Sequence, residues 1–434
     1  MDAHATRESV LNLMTECGIV EKCYADMLDY TVNLFETKGQ GADYYGYHNV
    51  RHELEVTYMT LLAMHQKAIK ITQDDARHLY VAALFHDFDP LKNVDKPHEE
   101  SVLKFISKDE SLQRMIRAAG IDFEIVKVLI LRTTYPWSGK NREDCENRAR
   151  LCFERSYKAK NDAEFQRHVM EMGRYLSVVD RMSGYALGDF TRAMEMAKMN
   201  AHAMAWKPSV IIRRSVTYFE DLLNTEAEII EAIMTILPKH MRRNFYNTVL
   251  QFFKTRQDEI AIQAEYSYNN LKLVPTIESM NARRDPGITS ALYEIFLALP
   301  TPLQFKKASF SDSIRDPQMI LTTLRVNNRN GKIVGYAKGG PLERYKLRKE
   351  IVDENYGKSN TIFLEPMGLR TGYWGLNGGR SMRNMFIMQA IAKRFTYLTS
   401  FALRDVVSSR VDKEKAEFVM QFDPERWDYY RIRI

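Results

Sequence analysis

Three stretches of helical periodicity carry His or Asp where core apolar residues belong, and this constrains the fold more than any other feature of the chain. His48 and His52 stand four apart, so they share a helix face, and that face continues as Val56, Met59 and Ala63. A second helix is expected to open at Thr72, with Asp75 three residues on as a capping box. On it Leu79, Ala83 and His86 form one line, and Tyr80, Leu84 and Asp87 the next. A third stripe runs Phe165, Val169, Met172 and Leu176, and its next position is Asp180. A buried carboxylate is costly unless it is paired or coordinates a metal.

A single His on an apolar face is usually a packing residue. His4, His65, His78, His168, His202 and His240 lack any grouping and are read that way. His48, His52, His86, Asp87 and Asp180, in order on three amphipathic helices, are read otherwise. Imidazole nitrogens and carboxylate oxygens together hold a divalent cation and leave positions for water. Such a cation makes a hydroxide nucleophile near neutral pH, so the set implies a metal-dependent hydrolase.

The chain has 434 residues, enough for two or three domains with real cores. Its 27% charged and 45% hydrophobic residues suit a globular protein. No apolar run approaches the roughly 18 residues that span a bilayer, so no membrane is expected. The start, Met1 to Glu8, has no basic-then-apolar signal pattern. Cys17, Cys23, Cys145 and Cys152 include no CxxC pair, which fits reduced thiols and a cytoplasmic protein. A net charge of +6 favours phosphorylated ligands, but it is too small and dispersed to argue for nucleic acid.

The pattern changes near residue 270. Helical periodicity dominates before it, with Pro238 an interruption and Met241 to Tyr268 the last helix. After it, Arg283-Arg284-Asp285-Pro286-Gly287 punctuates strongly. A helix is expected over Ile288–Leu299 and strands over Met319–Val326, Lys332–Ala337, Thr361–Leu369, Phe395–Leu403 and Trp427–Ile434. Between strand and helix lies Gly375-Leu376-Asn377-Gly378-Gly379-Arg380-Ser381, followed by a helix over Met382–Arg394. Glycines let a backbone approach closely, and unpaired N–H groups at a helix start point at an anion. Arg380 and Arg383 add charge beside them.

The order H…HD…D resembles that of the HD-domain metal-dependent phosphohydrolases. Tyr47-His48-Asn49-Val50-Arg51-His52 is similar to the signature of their cyclic-nucleotide phosphodiesterase branch, and Ile130 to Thr134 and His98 to Ser101 resemble weaker segments. The resemblance covers roughly residues 10–235. It implies an all-α helical bundle, His52, His86, Asp87 and Asp180 as metal ligands, and His48 as the general acid. The implied cofactor is one or two divalent ions of the Mn, Fe, Zn or Mg kind, and the implied substrate a nucleotide or other small phosphate ester. That branch places a further His after His-Asp. Here the run is His86-Asp87-Phe88-Asp89-Pro90-Leu91, which leaves one ion or two open, with Asp89, His98 and Glu99 as substitutes.

Residues 271–434 resemble the GNAT acyltransferases in order of elements: Ser309 to Pro317, the hairpin ending Gly331 to Ala337, the strand, glycine turn and helix, and the terminal Tyr429-Tyr430-Arg431-Ile432. The resemblance implies that Gly375, Gly378, Gly379, Arg380 and Ser381 cradle the pyrophosphate of acetyl-CoA or another acyl-CoA, and that backbone from Met367 to Leu369 pairs with its pantetheine arm. Glu365 is the candidate base toward an amine acceptor. The family's late tyrosine falls near Phe418, which cannot donate a proton.

The expected architecture is multidomain, α then α/β: an HD-like bundle over 1–235, a helical connector over 236–270, and a GNAT-like mixed α/β domain over 271–434. The expected activity is phosphohydrolase joined to acyl-CoA N-acyltransferase. The alternative is a regulatory protein whose second half only binds.

Overall fold

Asn49 starts the helix that carries His52. Its side chain accepts the backbone N–H groups of Arg51 and His52 at 3.1 and 3.2 Å, closing two of the open donors at that end. Thr72 and Asp75 form the expected capping box, and Asp109, Asp122 and Asp162 cap three later helices.

The computed structural model describes residues 3–37, 49–67, 69–88, 99–203, 206–299, 303–305, 307–422 and 427–434. The chain divides into two units, Met1–Met204 with Arg213–Phe252, and Ala205–Ile212 with Phe253–Ile434. The helices are α1 Ala3–Glu16, α2 Lys22–Thr37, α3 Val50–His65, α4 Gln73–Phe85, α5 Glu99–Lys108, α6 Glu110–Ala118, α7 Phe123–Leu131, α8 Gly139–Arg155, α9 Ala163–Leu187, α10 Phe190–Ala203, α11 Ile211–Thr225, α12 Ala227–Ile236 and α13 Lys239–Tyr268. The division falls inside α13, at Phe252.

The first unit is a helical bundle. α3 packs against α1, α4 and α9, while α7 packs against α4, α8 and α9. α3, α4 and α7 are buried almost all round, as central helices must be. The stripes read from the sequence are core: Val56, Met59, Leu79, Ala83, Val169, Met172 and Leu176 are all buried.

The second unit is built on one twisted sheet with β1 Leu273–Ile277, β2 Ile320–Val326, β3 Ile333–Pro341, β4 Thr361–Leu364, β5 Gly368–Leu369, β6 Tyr397–Leu403, β7 Phe418–Met420 and β8 Trp427–Arg433. Its order is β1-β2-β3-β4-β6-β8-β7, with β5 also on β3. Its helices are α14 Pro286–Leu297, α15 Phe310–Arg315, α16 Gly378–Ala392 and α17 Arg404–Glu414. Alternate strand residues serve opposite faces, and a bulge at Val334 shifts that alternation along β3. Ile320, Leu324 and Val334 join the core under α16, with Met382 and Phe386. Leu321, Ile333 and Tyr336 join the other, with Leu292, Phe296 and Phe310.

Among the described residues only β4 and β6 run parallel, Thr361 opposite Tyr397 through Leu364 opposite Ser400. α16 is their crossover. The expected strand over 361–369 is interrupted at Glu365-Pro366-Met367. Pro366 has no N–H to give a ladder, and the register on β3 slips by one between Leu364 opposite Gly339 and Gly368 opposite Tyr336. Beyond Ser400, the rest of β6 pairs, among the described residues, with β8 alone. The parallel pair therefore parts at its carboxyl end, where ligands commonly bind in sheets of this kind.

Candidate functional site

α3 supplies His52 from its first turn, the end of α4 supplies His86 and Asp87, and α9 supplies Asp180 from its middle. These four side chains each offer one donor atom, and the four atoms lie within 4.8 Å of one another. His52 Nε2 is 3.0 Å from Asp180 Oδ1 and 3.4 Å from Asp87 Oδ2. His86 Nε2 is 3.5 Å from each of the same two oxygens. Donor atoms roughly 2.0–2.2 Å from a shared ion stand roughly 3.0–3.5 Å apart, so these separations fit a divalent cation. His86 Nε2 and Asp180 Oδ1 are buried with no hydrogen bond of good geometry. Such atoms are costly unless something else meets them.

The orientation of His86 is fixed from behind. Its Nδ1 donates to the Ala83 carbonyl at 3.0 Å and lies 3.4 Å from Glu53 Oε1. That points Nε2 at the carboxylates of Asp87 and Asp180. Glu53 is itself buried, and burial pushes its carboxyl up, with His86 pulling it back. Sequence reasoning missed Glu53. Its signal is its position beside His52 on a helix whose other buried side chains, Glu55 apart, are apolar or hydroxyl.

Burial alone would lower the two imidazoles. Contact with Asp180 and Asp87 overrides this and raises His52 to about 9, and Glu53, Asp87 and Asp180 raise His86 well above its ordinary value. Burial would raise Asp180, but His52 and His86 hold it below the usual carboxylate range. The two carboxylates thus favour positive charge at this place, whether on the imidazoles or on a cation.

His48, Asp89 and His98 lie outside the described residues. His78 is a packing residue, its Nδ1 donating to the Asp74 carbonyl at 2.7 Å and its Nε2 accepting the Asp122 N–H at 3.0 Å. His168 bonds Asp75 Oδ2 at 3.0 Å.

In the second unit the glycine turn leads directly into α16. The helix begins at Gly378, four residues earlier than its apolar pattern suggests. Asn377 precedes it in the left-handed region and its side chain makes no cap, which leaves first-turn N–H groups uncapped by a side chain. Gly375 is left-handed at φ 82°. Gly378 is buried, and a Cβ there would meet Leu324 Cδ2 at 2.4 Å. Gly379 has open space on its Cβ side, and Arg380 is exposed. Ser381 turns its hydroxyl back to the Asn377 carbonyl at 3.3 Å. Arg383 does not add charge to the turn, because Glu414 pairs with it at 2.7 and 3.1 Å. Met367 and Leu369 pack their side chains into the core under α16.

Glu365 is not an open base. It is buried, its Oε2 lies 2.9 Å from Lys338 Nζ, and its Oε1 accepts the Tyr345 hydroxyl at 2.7 Å. Lys338 is wholly buried and bonds Ser313 as well. A carboxylate held this way neutralises a buried ammonium and is not available to deprotonate an incoming amine.

No family model and no curated protein sequence matches the chain. Among solved structures, it is similar to an acetyltransferase of the GNAT family from Staphylococcus aureus Mu50, 13% identical with a TM-score of 0.26, covering 37% of this chain and 99% of that one. It is similar to ribosomal-protein-alanine N-acetyltransferase from Brucella melitensis at 14% identity and a TM-score of 0.25, covering 37% and 99%. It is also similar to an aminoglycoside 6'-N-acetyltransferase complexed with coenzyme A at 12% identity and a TM-score of 0.26, covering 37% and 96%. Likeness at this level carries no weight for the chemistry of the unit, which its own residues set.

Proposed function

We propose that the first unit is a metal-dependent phosphohydrolase acting on a small phosphorylated molecule, a nucleotide in the first instance. One observation carries this reading: four metal-ligand side chains from three helices bring their donor atoms within 4.8 Å. His52, His86, Asp87 and Asp180 would hold the ion, which when bound supplies Lewis acidity and a water of lowered pKa. Glu53 and the Ala83 carbonyl keep His86 in the tautomer that presents Nε2. The side chains of Asp87 and Asp180 keep 15% and 14% of their exposure, which leaves an approach from solvent. His48 is the proposed proton donor to the leaving oxygen, on the strength of its place four residues before His52.

Metal analysis of the purified protein, followed by a panel of phosphatase and phosphodiesterase substrates, tests this. Bound divalent metal with metal-dependent hydrolysis is the expected result. A protein that takes up no divalent ion overturns it.

For the second unit the reading is a binding site for acyl-CoA. The uncapped start of α16, the open flank of Gly379 and exposed Arg380 favour an anion, and the parting of β4 and β6 leaves room beside it. The commitment of Glu365 to Lys338 favours binding over transfer, and so the regulatory alternative for this half. Stabilisation against heat by acetyl-CoA or free coenzyme A at millimolar concentration is the test. No shift with either ligand removes the reading.

A further inference from the structure

α9 presents two different faces within the first unit. Asp180 belongs to the metal cluster. Met170, Arg174, Ser177 and Arg181, one step around the helix, line a separate cleft of about 480 Å³ that none of the metal ligands touches. The residues after α7 close its other side, from Arg132 to Arg142.

Arg132 is the unusual member. It is 94% buried, because only 6% of its surface is exposed, yet it lines the cleft. Its guanidinium lies on the ring of Trp137, 4.0 Å from the centroid. It makes no side-chain hydrogen bond or ion pair among the described residues. Burial lowers it to about 10; Glu226 raises it, and Arg174 and Arg181 lower it. A buried guanidinium without a bonded counter-charge is costly, and proteins rarely leave one so.

The surrounding charges do not supply the missing partner. Glu226 is the one buried carboxylate lining the cleft, and it is already shared by Arg174 at 2.8 Å and Arg181 at 3.1 Å. Asp221 stands 3.7 Å from Arg181, and Glu171 3.7 Å from Arg174, both well exposed. Glu146 is taken by Arg142 at 2.7 Å. Three guanidiniums thus share one buried carboxylate.

The position of Arg132 is also built in. Gly173 on α9 is the residue against which its stem lies, and a Cβ there would stand 2.6 Å from Arg132 Cβ. Trp137 holds the guanidinium plane. A fork fixed at its stem and on its face, with N–H groups unspent, suits two oxygens of one group.

We propose that this cleft is a second ligand site, which takes a small oxyanion, a phosphate monoester or a carboxylate, on Arg132. It is independent of the metal centre and of the glycine turn of the other unit.

The test is calorimetric titration of full-length, chelator-treated protein with inorganic phosphate and, separately, succinate, at constant ionic strength. Saturable binding of either is expected, and the stronger one names the source. Arg132→Gln should weaken it at least tenfold, with far-UV circular dichroism and melting unchanged. Arg132→Lys, which keeps the charge and loses the fork, should also weaken it, so the proposal stays testable if the Gln variant misfolds. Asp180→Asn and Arg380→Glu should leave it unchanged. The proposal falls if neither anion binds at about 10 mM, if both Arg132 variants bind normally, or if Asp180→Asn or Arg380→Glu abolishes binding.

Discussion

In the proposed site, Glu53 would act on a bound ion without touching it. It sits behind His86, whose other nitrogen must face Asp87 and Asp180. Removing a partner of this kind typically weakens metal affinity by about 10–100-fold. Glu53→Ala should therefore bind metal more weakly, as read by chelator competition, whereas His86→Ala and Asp180→Ala should lose most of it by elemental analysis. Equal occupancy in all four proteins would remove the assignment. The thiols can be tested in the same way. Burial pushes Cys17 up to about 11 and Cys152 up to about 12, and raises Cys23 and Cys145 as well. At pH 8 a thiol of pKa 11 is only ~0.1% thiolate, so alkylation of the native protein should lag far behind that of denatured protein. Rapid labelling of Cys17 or Cys152 in the native state at pH 8 would contradict this. His52, His86, Asp87 and Asp180 were legible because helical period puts each on an apolar stripe. Glu365 was misread because its partner Lys338 comes from another strand, and pairing across a sheet leaves no local trace.

Helices and strands were legible where local rules govern them, as at the Thr72 and Asp75 capping box. The bulge at Glu365-Pro366-Met367 was not, since register depends on β3. The early start of α16 was hidden because its first turn is glycine, with no apolar residue to mark a period. That turn separates two glycines with different duties. A side chain at Gly378 meets Leu324 in the core, while one at Gly379 meets nothing within 4 Å. Gly378→Val should cost about 1–3 kcal/mol in chemical denaturation, with or without ligand, as overpacking does. Gly379→Val combined with Arg380→Glu should change stability little and abolish stabilisation by acetyl-CoA. The branched side chain fills the space an anion would enter, and the new carboxylate repels it. If the double variant is stabilised by acetyl-CoA as well as the native protein, the turn is not the seat of the phosphates.

The change of character near residue 270 was visible in the sequence, but the division at Phe252 was not. α13 has one uninterrupted helical pattern, and its two halves differ only in what they pack against: Met241, Phe245, Val249 and Phe252 are buried in the first unit. Two units with separate cores and separate proposed ligands should answer those ligands separately. A ligand that binds only the folded state adds about 2.7 kcal/mol at a hundred times its Kd. For units of about 200 residues, 1 kcal/mol moves melting by roughly 2–4 °C, so saturating ligand should move its own transition by roughly 5–10 °C. Scanning calorimetry should resolve two transitions. Chelation should lower one and leave the other in place, and acetyl-CoA should raise the second without touching the first. Asp180→Ala should fix the first transition at its chelated position, and Gly379→Val with Arg380→Glu should make the second indifferent to acetyl-CoA. If one ligand moves both transitions together, the two units unfold as one and α13 transmits stability between them, which would place the metal centre and the glycine turn under a common control.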